Sequence, residues 1–118
     1  MTREEITKAI GAHGMWKTRL TRAIESGKVE LSPATAKQDD QCEFGKWLKG
    51  SAATLGKDAH YTKVKDLHAR FHVATGHVLE LVQAGKPDDA RAAMVRGSTF
   101  DKLSTELTMT LIEWSKAA

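Results

Sequence analysis

At 118 residues the chain is long enough for one modest hydrophobic core and too short for two, so a single domain spanning residues 1–118 is expected. Hydrophobic residues at 41% and charged residues at 28% exclude a disordered polypeptide, and 18 lysines and arginines interleaved with 15 acids form no one-sided basic block for nucleic acid. No apolar run approaches the roughly 18 to 20 residues that cross a bilayer, and the N-terminus MTREEITKAIG has no signal-like apolar centre, so the expected compartment is the cytoplasm, with neither membrane nor nucleic acid as partner.

In the first segment, Ile6, Ile10, His13, Leu20 and Ile24 recur at steps of three and four, with Trp16 flanking. This spacing predicts an amphipathic helix ending near Ser26 and Gly27. The stretch GKVELSPATAK is the least patterned and reads as the longest loop. From Asp39, DDQCEFGKWLKG predicts a short helix with Asp39 or Asp40 as N-cap, Phe44, Trp47 and Leu48 turned inward, and Gly50 as its close.

A third segment, from about Lys57 to Ala84, carries Tyr61, Val64, His68, Phe71, Thr75, Val78 and Val82 on one stripe, widened by Leu67, His72 and Leu79. After the KPDD turn, with Pro87 and two acids suited to a helix start, Phe100, Leu103, Leu107, Leu111 and Trp114 mark a fourth. Nothing alternates at period two. The expected fold is therefore all-α: an antiparallel four-helix bundle with three long helices and one short helix carrying the cysteine.

The segment LHARFH places His68 and His72 four apart, one turn above each other on the inward stripe, so both imidazoles can address one atom. His13 takes an inward position on the first helix, and Cys42, the single cysteine, lies in the short one and has no partner for an internal disulfide. One thiol and three imidazoles suit a tetrahedral Zn2+, which satisfies one nitrogen on each buried ring. His77 falls about 180° around the helix from His68, at roughly 100° per residue, and is expected at the surface, as is His60.

Three other chemistries fit less well. A histidine phosphotransfer bundle needs an exposed histidine beside a cation, and His77 has no adjacent lysine. A di-iron or haemerythrin-like centre needs acids on the histidine face, where Asp66 and Glu80 do not fall. A zinc hydrolase needs an open coordination position and a general base, and LHARFH has alanine where HExxH has glutamate, so no catalysis is expected. A zinc with a purely structural role fits the same four residues.

These pieces, HGMW with His13 and Trp16, DDQCEFGKWL with Cys42, Gly45 and Trp47, and LHARFH with His68 and His72, resemble the chemoreceptor zinc-binding domain family, CZB, in order and separation over about Thr2 to Ser115. The resemblance implies a cytoplasmic helical bundle, commonly a homodimer, that binds zinc and serves as a sensory input to a chemoreceptor signalling region or a diguanylate cyclase. It also implies that zinc availability, or oxidation of Cys42 by a species such as hypochlorous acid, is the stimulus, with Asp39 at the position linked to that reactivity. The 118 residues depart from the attached members in containing neither a receptor signalling region nor a cyclase domain; in relatives such an effector lies in the same chain, and an effector in trans is one arrangement open here.

Overall fold

The computed structural model describes residues 3–29, 31–38 and 42–117, and gives no side-chain description for Arg3 and Glu43. All regular structure among the described residues is helical: α1 (Arg3–Ser26), α2 (Pro33–Ala36), α3 (Glu43–Gly50), α4 (Ala52–Leu55), α5 (Ala59–Gln83), α6 (Pro87–Ala92) and α7 (Thr99–Ala117). The expected all-α bundle with three long helices is what forms. Its fourth member is not one helix, because the segment between α1 and α5 is divided into α2, α3 and α4.

Local chemistry accounts for the breaks. Gly27, at φ 71°, ends α1 by donating its N–H to the Ala23 carbonyl, a left-handed cap that a side chain would strain. The stretch expected to be a loop contains α2, because Ser32 caps the Thr35 N–H and Pro33 fits the first helical position. The cap of α3 is Cys42 itself, its sulfur accepting the Gly45 N–H; Asp39 and Asp40 lie outside the described residues. Asp58 caps α5 with two hydrogen bonds from the His60 and Tyr61 N–H groups. The fourth segment is also split, with α6 separated from α7 by a turn at Gly97, φ 88°.

Helix α5 is the centre of the molecule and touches α1, α2, α3, α6 and α7. Its buried residues run from Tyr61 to Val82 on more than one face. Ile6, Leu20, Phe71, Leu107 and Leu111 are fully enclosed between the long helices. His13 and Trp16 of α1 lie beside His68 and His72 of α5, and further along Leu20 and Ala23 border the same cleft as Leu79, so α1 and α5 run the same way. Phe100, early in α7, meets Phe71, whereas Trp114, late in α7, meets Trp47 on α3, whose neighbour Leu48 bonds Tyr61 early in α5. The last helix therefore runs against the other two.

Candidate metal centre

His13, Cys42, His68 and His72 converge midway along the bundle, and the ligand atoms they offer all lie within 4.8 Å of one another. Each reaches the point from a different constraint. α1 buries His13 because it lies on the line of Ile6, Ala9, Trp16 and Leu20. α5 buries His68 and His72 one turn apart on its most enclosed face. Cys42 arrives as the residue that starts α3, its sulfur half-enclosed under the helix N-terminus.

The distances have a recognisable pattern. Nε2 of His68 and Nε2 of His72 are 3.0 Å apart, and the Cys42 sulfur stands 3.3 Å from the first and 3.6 Å from the second. Zinc bonds of about 2.0–2.1 Å to nitrogen and about 2.3 Å to sulfur, at tetrahedral angles, set nitrogen–nitrogen edges of about 3.3 Å and nitrogen–sulfur edges of about 3.6 Å. Three of the atoms thus already outline one face of a tetrahedron. A contraction of about 1.2–1.5 Å from the outer limit of 4.8 Å, on the side of His13, completes it.

Hydrogen bonds fix which nitrogen faces inward. His13 donates its Nδ1–H to the Ala9 carbonyl at 2.6 Å, and His72 donates its Nδ1–H to the Ala36 carbonyl at 3.0 Å. In both rings Nε2 is left with its lone pair, the state a metal ligand requires. The Nε2 of His13 is buried with no hydrogen-bond partner among the described residues. Such a group costs free energy unless something accepts its lone pair, and a bound cation would. The Nδ1 of His68 also lacks a partner among the described residues, so its ring is placed by packing and by the contacts of its Nε2 with His72 and Cys42.

Electrostatics favour neutral rings. Burial is the main cause that lowers the His13 pKa from 6.5 to about 4; its bond to Ala9 opposes the shift and His72 adds to it. Burial also drives His68 well below the ordinary histidine range, reinforced by His13 and His72. The walls are apolar and aromatic: the rings of Phe44 and Phe71 stand edge-on to His13, and Trp16 edge-on to His72. At neutral pH the centre offers uncharged imidazoles at His13 and His68, with His72 and the Cys42 sulfur beside them, in an enclosed space.

A model of the chemoreceptor zinc-binding domain family matches residues 13–79, more than half of the chain and a span that includes all four converging side chains. The chain belongs to the CZB family. Zinc is the metal this family binds, and the group here is close enough to hold one ion. Comparisons with curated proteins and with solved structures returned no match.

All four residues singled out as ligands from the sequence meet in this CZB centre; Asp39, assigned a redox role by resemblance, lies outside the described residues. His77 is exposed, as expected, but His60 is only half-exposed and sits beside Asp58. Sequence reasoning misses the acceptor that orients His72, the carbonyl of Ala36, because it expects a loop there. A signal exists nonetheless: Ser32 followed by Pro33 is a helix start.

Proposed function

We propose that this CZB domain is a bacterial sensory module in which His13, Cys42, His68 and His72 hold one Zn2+ and in which the state of Cys42 or the supply of zinc is the signal. The observation that carries the reading is the 3.0, 3.3 and 3.6 Å triangle of two imidazole nitrogens and one sulfur, beside the Nε2 of His13, which has no partner among the described residues. When bound, zinc supplies charge that keeps the sulfur a thiolate. Four protein ligands leave no coordination position for substrate or water, which argues for sensing and against catalysis.

The position of Cys42 supports the redox branch. Its sulfur caps α3, where the helix dipole favours negative charge, and the residue is only partly buried, so a small oxidant has access. With hypochlorous acid the thiolate takes up the chlorine and expels hydroxide; water then displaces chloride, leaving a sulfenic acid, with sulfur oxidised and chlorine reduced by two electrons. The three histidines retain their positions, while α3 loses its attachment at Cys42. Movement of α3 would be the output.

For partners, we infer a second copy of the chain and a chemoreceptor signalling region or diguanylate cyclase. Met109 and Ile112, exposed three residues apart on α7 beside the Trp114 turn, support an interface there. No helix among the described residues is long and apolar enough to cross a membrane, in keeping with a cytoplasmic location.

Metal analysis of protein purified without added metal tests the reading. We expect one zinc per chain in the wild type, and strong loss in Cys42→Ser and His72→Ala. Hypochlorous acid should release zinc from the wild type or move α3, measured by the fluorescence of Trp47. A wild type without zinc ends the reading; zinc that is bound but unaffected by oxidant and by chelator in the physiological range leaves only a structural metal.

A further inference from the structure

Gly76 lies inside α5 and is buried, at a place where glycine costs a helix about 1 kcal/mol relative to alanine. Its lack of a side chain has a local use. A Cβ there would stand 2.8 Å from the Pro33 carbonyl oxygen and would run into the Lys37 side chain, so α2 rests directly on the glycine. One turn earlier on the same line of α5, His72 donates its Nδ1–H to the Ala36 carbonyl of α2 at 3.0 Å. One turn later, Glu80 pairs with Lys37 at the end of α2. Residues 72, 76 and 80 thus form a single seam: a hydrogen bond, a gap filled by backbone, and an ion pair.

The three contacts are not equal. Lys37 and Glu80 are each more than two-fifths exposed, and exposed pairs of this kind contribute little. The close approach at Gly76 decides how near α2 can lie, and hence whether the Ala36 carbonyl reaches the ring. His13 differs, since its Nδ1–H is held by Ala9, four residues back on its own helix. Among the described residues, His72 is the member of the group whose orienting carbonyl comes from a different helix.

We propose that Gly76 is a positioning residue for the metal centre: it seats α2 so that the Ala36 carbonyl fixes His72 with Nε2 facing Cys42 and His68. The proposal rests on the zinc reading above. An added methyl at position 76 lifts α2, frees the ring of His72 and weakens metal binding with all four ligands present. Outer partners of this kind typically change metal affinity by about 10- to 100-fold.

The test uses the full chain as wild type, Gly76→Ala, Ser32→Ala and Gly11→Ala, titrated with Zn2+ against a chromogenic chelator. Gly76→Ala should bind one zinc about 10- to 100-fold more weakly. Gly11→Ala, whose Cβ would meet nothing within 4 Å, should match the wild type. Ser32→Ala uncaps α2 from an exposed position away from the centre and should weaken binding by about fivefold. It supplies the reading if Gly76→Ala does not fold.

Nitrogen-15 spectra of the zinc-loaded histidine rings give a readout that general destabilisation does not. The wild type should show slowly exchanging Nδ1–H protons on both His13 and His72, and the variants at positions 76 and 32 should lose protection at His72 alone. Wild-type affinity and an unchanged His72 signal in Gly76→Ala, or in Ser32→Ala where the first is unfolded, overturn the proposal while leaving the zinc site intact. A wild type that takes up no zinc removes both.

Discussion

His68 and His72 bring their Nε2 atoms to 3.0 Å of each other on successive turns of α5. The Nδ1 of His72 already donates to Ala36, so its Nε2 can only accept, and the ring of His68 is driven neutral by burial. Two inward nitrogens this close, with a sulfur 3.3 Å away, gain most from a cation between them. Folding and metal binding should therefore be linked. At free zinc one hundred times the dissociation constant the linkage is about 2.7 kcal/mol, which for a domain of this size raises the melting temperature by about 10 °C. Calorimetry with and without a chelator checks this; melting points that coincide would show that zinc does not bind the folded group.

Acid should unfold the metal-free protein early. In the unfolded chain the histidines titrate near 6.5, whereas in the fold His13 titrates at about 4 and His68 lower still. The folded pKa values are depressed, so the unfolded state binds more protons between these limits, and stability falls as pH falls. The contribution is fully present above about pH 6.5 and is lost progressively toward pH 4. Urea midpoints of chelator-treated protein at pH 7.5, 6, 5 and 4 should fall in that order, and His13→Gln should flatten the slope. A midpoint constant from pH 7.5 to 5 would contradict the burial of neutral rings.

The sequence revealed the centre more fully than its supports. Histidines at positions 68 and 72 could be placed on one face because a helical period of 3.6 is rigid, and His13 because it fell on the line of Ile6, Ile10 and Leu20. Cys42 was legible as a ligand candidate but not as the cap of α3, since sulfur is not among the usual capping atoms and two aspartates stood just ahead of it. The division of the second member into α2, α3 and α4 was hidden for a related reason. Helices of four residues have no amphipathic period to detect, and only their caps, Ser32 with Pro33, announce them. Contacts distant in sequence, such as Ala36 with His72 or Tyr61 with Leu48, leave no local pattern at all.

Gly11 offers a stabilising change. It is exposed in the interior of α1, in a helical conformation, and an added Cβ would meet nothing within 4 Å. Alanine there reduces the freedom of the unfolded chain without strain in the folded one, worth about 0.5–1 kcal/mol. Gly11→Ala should raise the urea midpoint with an unaltered dependence on urea concentration, and zinc stoichiometry should be unchanged. A lowered midpoint would mean that another surface occupies that side of α1.

Tyr61 ties the far end of the cysteine-bearing helix to the core. Its ring is 2% exposed, and its hydroxyl donates to the Leu48 carbonyl at 2.5 Å, one of the terminal carbonyls of α3 that no helical N–H four residues on can satisfy fully. α3 is thus held at its start by Cys42 and near its end by Tyr61. Phenylalanine keeps the ring packing and removes the donor, leaving that carbonyl, among the described residues, with a longer bond from the Ser51 N–H at 3.2 Å. The cost should be about 1–2 kcal/mol, a fall of about 5 °C in melting temperature. Zinc stoichiometry should remain one per chain, because the ligand end of α3 is untouched. The release of zinc by hypochlorous acid should be faster in Tyr61→Phe, since oxidation then frees a helix with one attachment fewer; an unchanged release rate would show that α3 stays in place when the sulfur ligand is lost.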